Sequence, residues 1–184
     1  MHRTYLALVL LVVTSLAQPA RTVGAQTLPP GDPSQTMVPI SQIIRQAGYT
    51  LSDAEAAYLD AEQQLQAQYL APMLQVMALA GGPEAGLPGD ATQAGIVAEL
   101  QKVVALDPSA APEAPATLQR LRELAVLQRV GLRRVAEQWL EGLQGGDPDW
   151  RTRGASDFQA AQQSLADWQQ ELASRYPPPA PVEP

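Results

Sequence analysis

The sequence predicts an all-α protein: an up-down four-helix bundle with a short additional N-terminal helix and flexible Pro-rich ends. Three observations support this prediction. Apolar residues recur at three- and four-residue spacing in four segments, and the alternation typical of strands is not evident. Gly and Pro residues separate these segments. The 184-residue chain contains no cysteine, so packing must stabilise the helices without disulfides.

The first 25 residues are predicted to be a signal peptide. Arg3 gives a short cationic start, and residues 5–16 form an uninterrupted run of apolar and small residues. Such a run is too short to cross a hydrocarbon core of ~30 Å, but it suits the apolar region of a signal peptide. Small residues before Gln26 predict cleavage after Ala25. We therefore expect export to the periplasm, the cell envelope or the medium, without a stable membrane span after cleavage.

Two Pro-rich stretches bound the predicted helical domain. Residues 26–39 contain four prolines and no helical period, which indicates a flexible spacer. Residues 177–184 contain five prolines and are expected to form a disordered tail. The helical bundle domain is thus predicted to span residues 40–176.

The first predicted elements are a short helix over residues 40–47 and a long helix that follows Ser52. Gly48 is placed to be the left-handed residue that ends the short helix. Ser52 and Glu55 form a capping-box pattern, and Gly81 follows the last residue of the long helix. The expected core face of the long helix comprises Leu51, Ala54, Tyr58, Ala61, Leu65, Tyr69, Val76 and Ala80.

Three further helices are predicted. The second long helix begins with a capping-box-like pattern at Asp90 and ends at Asp107. The third runs from near Pro115 to the glycine pair at 145–146, and the fourth begins with a similar pattern at Ser156. The fourth helix has the clearest apolar stripe, which consists of Phe158, Ala161, Leu165, Trp168, Leu172 and Tyr176.

Unequal helix lengths predict a role for the short N-terminal helix. At 1.5 Å per residue the first and third long helices would measure about 42–45 Å, and the second only about 24 Å. Half of the groove between the longer helices would then lack a neighbour. The short helix, which carries Ile40, Ile43 and Ile44, is expected to fill it.

Composition excludes several kinds of chemistry. The only histidine is His2, within the predicted leader, and cysteine is absent. A mature chain would therefore lack the residues of a Ser-His-Asp triad, a zinc site or a histidine-ligated haem. Asp147 and Asp149 begin like a calcium loop, but Arg151 and Phe158 occupy positions that need oxygen ligands. We predict no enzyme activity, no metal site and no cofactor.

The charge balance argues against nucleic acid as a partner. The full chain has 12 basic and 19 acidic residues, a net charge of −7. Two of the basic residues lie in the leader, so the mature chain would carry about −9. Such a chain is repelled by phosphate backbones.

A row of arginines on the third long helix is a candidate partner-binding or anion-binding site. Arg122, Arg129 and Arg133 share one side of that helix, next to its apolar stripe. The row either binds a partner that carries a carboxylate or pairs with acidic residues of the first long helix. Glu62 lies close to the expected core face, and if buried it must pair with an arginine or a hydroxyl.

Pro72 defines a second candidate site. Proline inside a helix removes one amide donor, so a bend is expected there, with the carbonyl of Gln68 left unpaired. Tyr69, Met73 and Met77 are expected around this bend, with Trp139 or Trp168 from a facing helix. An apolar ligand with one donor would suit such a pocket.

These observations lead to one functional hypothesis and two alternatives. The first is an exported, non-enzymatic helical module that binds an unknown protein or peptide. The second is an extracytoplasmic carrier of a small molecule, with an apolar pocket at Pro72. The third is a hydrolase that depends on carboxylates.

Overall fold

The computed structural model describes residues 37–81, 87–110 and 112–177, and the described chain is helical without strands, as predicted. The leader, most of the spacer and the tail beyond Pro177 lie outside the described residues. The α-helices are α1 (Ile40–Gln46), α2 (Asp53–Ala80), α3 (Asp90–Ala105), α4 (Gln119–Gln144) and α5 (Ala155–Arg175). Short 3₁₀ turns at Ala116–Leu118 and Trp150–Thr152 precede α4 and α5.

The helix starts agree with the sequence at α2 and differ at α3 and α5. The capping box is confirmed, because Ser52 Oγ accepts from the Glu55 amide at 3.2 Å and Glu55 accepts from the Ser52 amide at 3.0 Å. Helices α3 and α5 instead begin after Gly89 and Gly154, which provide no side-chain cap. The predicted capping boxes at Asp90 and Ser156 are therefore wrong, because each residue lies inside the first turn of its helix.

Neighbouring helices in sequence are also neighbours in space. The most extensive contact joins α4 and α5, followed by α2 with α3 and α3 with α4. The α4–α5 contact is close: a Cβ at Gly131 would lie 2.9 Å from the Cβ of Ala161. A Cβ at Gly142 would lie 2.8 Å from the Cβ of Trp150. Neither position tolerates a side chain without movement of α5 or the turn before it.

The interior contains two apolar clusters. The first cluster joins the C-terminal halves of α2 and α4 to α3 and includes Met73, Val76, Ile96, Leu100, Val135 and Trp139. The second cluster joins the N-terminal halves of α2 and α4 to the end of α5 and includes Leu59, Leu121, Ala125, Trp168 and Leu172. Ile44 of α1 is buried in the second cluster, with Ile40 partly buried against it. The short helix therefore packs against α2, and its predicted place in the groove between α2 and α4 stays a prediction.

The buried stripe of α2 differs from the predicted one. Tyr58, Tyr69 and Val76 are buried as expected, but Ala54 is exposed. The buried positions instead repeat every seven residues, in the two series Leu59, Gln66, Met73 and Glu62, Tyr69, Val76. A seven-residue repeat keeps one seam against neighbouring helices over many turns. A buried face assigned from apolar residues alone misses this seam, because Glu62 and Gln66 at its centre are polar.

Candidate functional site

A layer of polar side chains lies where the two apolar clusters meet. Tyr58 belongs to the second cluster and Tyr69 to the first, and three helical turns of α2 join them. Helices α2 and α4 both contribute to this layer. We call it the polar layer, and it comprises Tyr58, Glu62, Gln66 and Tyr69 of α2 with Arg122 and Arg129 of α4.

Glu62 and Arg129 form a buried ion pair at the centre of the polar layer. Their side chains are 0% and 1% exposed, and Arg129 Nη1 donates to Glu62 Oε1. Arg129 Nε also donates to the carbonyl of Pro108 at 3.1 Å, which attaches the α3–α4 connection to α4. The expectation that a buried Glu62 pairs with an arginine is confirmed. Removing one partner of such a pair leaves an uncompensated buried charge.

Burial is the main cause of the pKa shifts in the polar layer. Desolvation raises the pKa of Glu62 above its ordinary value, although the positive charge and hydrogen bond of Arg129 oppose the shift. Desolvation and the negative charge of Glu62 together raise the pKa of Tyr58. Burial likewise raises the pKa of Tyr69, against the charge of Arg129. The two tyrosines are therefore neutral hydrogen-bonding groups at physiological pH.

Four residues of the polar layer each retain one buried polar atom without a hydrogen bond to the described part of the chain: Gln66 Nε2, Tyr69 Oη, Arg122 Nε and Arg129 Nη2. Gln128 Oε1, next to Arg129 on α4, is likewise unpaired, whereas Tyr58 and Glu62 share a side-chain hydrogen bond. Buried polar groups normally have partners, so a concentration of unpaired atoms in one layer is a functional signal. The sequence contained part of this signal in Glu62, but gave no reason to join it to Gln66 or Arg122.

The structure separates the three arginines that the sequence grouped. Arg129 is fully buried against Glu62, so its assignment to an external partner is corrected. Arg133 is partly exposed and donates to Glu137 at 2.9 Å, one turn along α4. Arg122 is half-buried and lies between the polar layer and solvent. Of the three, only Arg122 has neither an ion pair nor a hydrogen bond to the described residues.

The predicted Pro72 site is only partly assembled. Helix α2 continues through Pro72, and Tyr69, Met73 and Trp139 are buried in the first apolar cluster. Met77, by contrast, is 49% exposed, so its assignment to a pocket with these three residues is corrected. A bend at Pro72 stays a prediction.

Trp139, predicted to line the Pro72 pocket, instead contacts residues of the connection between α4 and α5. Its Nε1 donates to the carbonyl of Arg153 at 2.8 Å. Its ring meets Trp150 edge-on, with centroids 5.6 Å apart. The sequence did not assign Trp150 to the core, because it stands in a short turn outside any helical period. These contacts fix the connection between α4 and α5.

A stripe on the outer side of α2 was also missed. Its first part, formed by Ala56, Asp60 and Gln63, lies beneath α1. Asp60 accepts hydrogen bonds from the Ser41 amide at 3.0 Å and from Ser41 Oγ at 2.6 Å. Gln63 Oε1 accepts from the Ile40 amide at 3.1 Å, and its Nε2 donates to the carbonyl of Val38 at 3.2 Å. These bonds hold α1 antiparallel to α2.

The same stripe continues along the C-terminal half of α2 without cover from the described chain. We call this part the outer face. Its members are all exposed or half-buried, and none is charged: Ala67, Leu70, Ala71, Leu74, Met77 and Ala78. Only Leu70 of this set packs against the first apolar cluster. The outer face therefore exposes apolar area on a helix that is already packed on its other side.

Within residues 37–81, 87–110 and 112–177, no group of three or more His, Cys, Asp or Glu residues is arranged to hold a metal ion. Over the same residues Glu62 is the one fully buried carboxylate. Asp147 of the calcium-like segment accepts from Arg153 Nε at 2.7 Å and from the Asp149 amide at 2.9 Å. None of the described helices is both long and apolar enough to span a membrane.

Comparisons with known proteins give no relative: no protein-family model, no curated protein and no solved structure matches this chain.

Proposed function

We propose that this protein is an exported, non-enzymatic helical module that binds an amphipathic helix of a partner protein through the outer face of α2. The proposal rests on the exposed apolar residues of the outer face. Exposed apolar patches on one side of a helix are typical of protein-interaction sites. No charged residue occurs between Glu62 and Glu84, which is unusual for a partly exposed helix in an acidic chain.

The partner's chemistry follows from the way α1 occupies the adjoining part of the stripe. Helix α1 covers Ala56 and places Ile44 in the second cluster, so a helix already packs along this line of α2. Ala67, Ala71 and Ala78 extend that line at four-, three- and four-residue steps through Leu74. Small side chains permit close approach of two helix axes. The outer face spans about 17 Å, which matches about three turns of helix.

We therefore expect a partner helix with apolar residues at three- and four-residue spacing and no charge at the contact. Helix-in-groove recognition uses this pattern of anchors. The partner helix would extend the α1–α2 contact toward the C-terminus of α2. Export would follow from the predicted leader, and exported material that begins at Gln26 would support it.

The up-down bundle is the arrangement that we propose for the helices. Thr117 Oγ1 donates to Glu55 at 2.8 Å, so α2 and α4 begin at the same end. Arg151, after α4, donates to the carbonyl of Ala80 at 3.2 Å, so both helices also end together. Gln93, near the start of α3, donates to the carbonyl of Leu143 at 3.2 Å. These contacts support parallel α2 and α4 with α3 running in the opposite direction.

The two alternative functions have less support. A carrier with an apolar pocket at Pro72 needs Met77 beside Met73, and Met77 lies at the surface. A hydrolase that depends on carboxylates needs two of them in one cleft, and Glu62 is paired with Arg129 instead. Partner binding remains the function that the exposed residues favour.

Site-specific photo-crosslinking tests the proposal. A photoreactive residue replaces Ala78 on the outer face, and a matched one replaces the exposed Gln68, about 80° around α2 from Ala78. Crosslinking is carried out in the native exported fraction, and the attachment site is sequenced. We expect position 78, and not 68, to attach to one defined amphipathic helix of a second protein.

A second variant makes the result decisive. Leu74→Glu places a charge in the outer face and should abolish the crosslink at position 78, while Gln75→Glu should retain it. Attachment to a second copy of this chain would replace the proposal by self-association. Absence of a specific product, or equal capture by Leu74→Glu, would overturn it.

A further inference from the structure

Met77 is the one residue of the outer face whose polarity a simple chemical reaction can change. The other five members are alanines and leucines, which carry only hydrocarbon side chains. Met77 is 49% exposed and is the most exposed large side chain of this face, since Leu70 and Leu74 are half-buried. The polarity of the outer face therefore depends on the state of one thioether sulfur.

The other two methionines of the described chain differ from Met77 in burial or in position. Met73, one turn earlier on α2, is 2% exposed and lies in the first apolar cluster, where an oxidant reaches its sulfur slowly. Met37 is 42% exposed, but it precedes α1 and lies outside the outer face. The chain has no cysteine, so no thiol of its own competes for an oxidant. Exposure thus favours oxidation at Met77 within α2.

We propose that Met77 is a site of reversible oxidation that controls partner binding at the outer face, an inference that rests on the proposed function. Hydrogen peroxide transfers one oxygen atom to the thioether sulfur: the O–O bond breaks, an S–O bond forms, and water leaves. The sulfur loses two electrons, which the peroxide gains. A methionine sulfoxide reductase reverses the step with two thiols, which become a disulfide as the oxygen leaves in water.

The sulfoxide opposes the apolar contact that the outer face would make with a partner helix. Its oxygen is a hydrogen-bond acceptor, and burial of a polar group without a partner is unfavourable. No side chain of the outer face carries a donor, and the expected partner helix is apolar at the contact. In the free protein the same oxygen stays in water, because Met77 is exposed. Oxidation should therefore weaken binding without unfolding the domain.

Peroxide treatment of the full chain tests the selectivity of oxidation without a partner. Peptide mass spectrometry follows the gain of one oxygen atom at each methionine, and we expect Met77 and Met37 to react about tenfold faster than Met73. The melting temperature should stay nearly unchanged while only the two exposed methionines are oxidised. Reaction of Met77 no faster than that of Met73 would overturn the proposal, because the thioether would then be inaccessible in the folded protein.

The photo-crosslink at position 78 measures the effect of oxidation on binding. Oxidation should reduce the crosslink about tenfold, and sulfoxide reductases for both epimers should restore it. Met77→Leu should keep the crosslink in peroxide, whereas the matched control Met37→Leu should lose it as the wild type does. A crosslink that survives complete oxidation of Met77 would overturn this proposal alone. Absence of the crosslink before oxidation would remove partner binding and its regulation together.

Discussion

The two halves of α2 have the same helical geometry but different surroundings. The N-terminal half carries the polar seam residue Glu62, and α1 covers its outer stripe through hydrogen bonds to Gln63. The C-terminal half has no charged residue, and its outer face is uncovered by the described chain. Polar contacts thus fix the position of one half, while the other half exposes apolar area. This difference is the basis of the proposal that the first half orders the domain and the second half binds a partner.

The largest expected effect comes from the ion pair in the covered half. Glu62→Ala leaves Arg129 charged and buried, and we expect a loss of about 3–5 kcal/mol of unfolding free energy in chemical denaturation. The double variant Glu62→Met, Arg129→Met should recover most of this loss, because both charges are removed. Gln68→Ala, at an exposed position of the same helix, should cost less than about 0.5 kcal/mol. Equal stability of Glu62→Ala and Gln68→Ala would contradict the assigned role of the pair.

Weakening the packing of α1 should make the outer stripe equally accessible to solvent along both halves of α2. Ile44→Ala removes a buried anchor of α1 and should cost about 2–4 kcal/mol, while half-buried Ile43→Ala should cost less. The absence of native cysteine permits clean thiol labelling at single positions. Ala56→Cys should react much more slowly than Ala71→Cys, and adding Ile44→Ala should bring the two rates closer. Similar labelling rates for Ala56→Cys and Ala71→Cys in a chain that retains Ile44 would show that α1 does not cover the stripe.

The raised pKa of Glu62 predicts a dependence of stability on pH with a definite sign. The folded pKa lies above the unfolded value of about 4.5, so folding favours the protonated carboxyl. This contribution is fully present below the unfolded pKa and is lost as pH rises through the folded pKa, at up to about 1.4 kcal/mol per pH unit.

Glu62→Gln isolates this contribution, because other carboxyl groups titrate in both proteins. Asp107 and Asp147, whose pKa values are lowered by hydrogen bonds from Ser109 and Arg153, change stability in the opposite direction. The difference in unfolding free energy between the wild type and Glu62→Gln should decrease as pH rises above about 4.5. A difference that increases over this range would show that Arg129 outweighs desolvation.

The smallest effect on stability is expected at the outer face. Met77→Gln replaces an exposed side chain and should change the unfolding free energy by less than about 0.5 kcal/mol. The same variant should reduce partner crosslinking at position 78, which separates binding from folding. A loss of more than about 1 kcal/mol would mean that Met77 packs inside the domain rather than facing a partner.

The sequence allowed us to predict that Glu62 pairs with an arginine, but not which arginine it pairs with or which surface of α2 stays uncovered. Glu62 stands near the apolar side of α2 in sequence, so its burial and need for an arginine could be expected. Its partnership with Arg129 rather than Arg122 or Arg133 depends on the rotation of α4 about its axis, which no local pattern specifies. The outer face was missed because Ala67, Ala71 and Ala78 suit a helix interior and an exposed helix surface equally well.

The sequence by itself determined the class of fold and most helix ends, because caps, glycines and apolar periodicity act within a few residues of one another. Ser52 with Glu55, and Gly48 at φ 93°, are examples of such local signals. Only the tertiary structure decided which side of α2 is buried, where Arg129 points, and which stretch α1 leaves uncovered. These properties depend on the seven-residue seam between helices distant in sequence, and packing across that seam outweighs the preference of single residues for water or for the core.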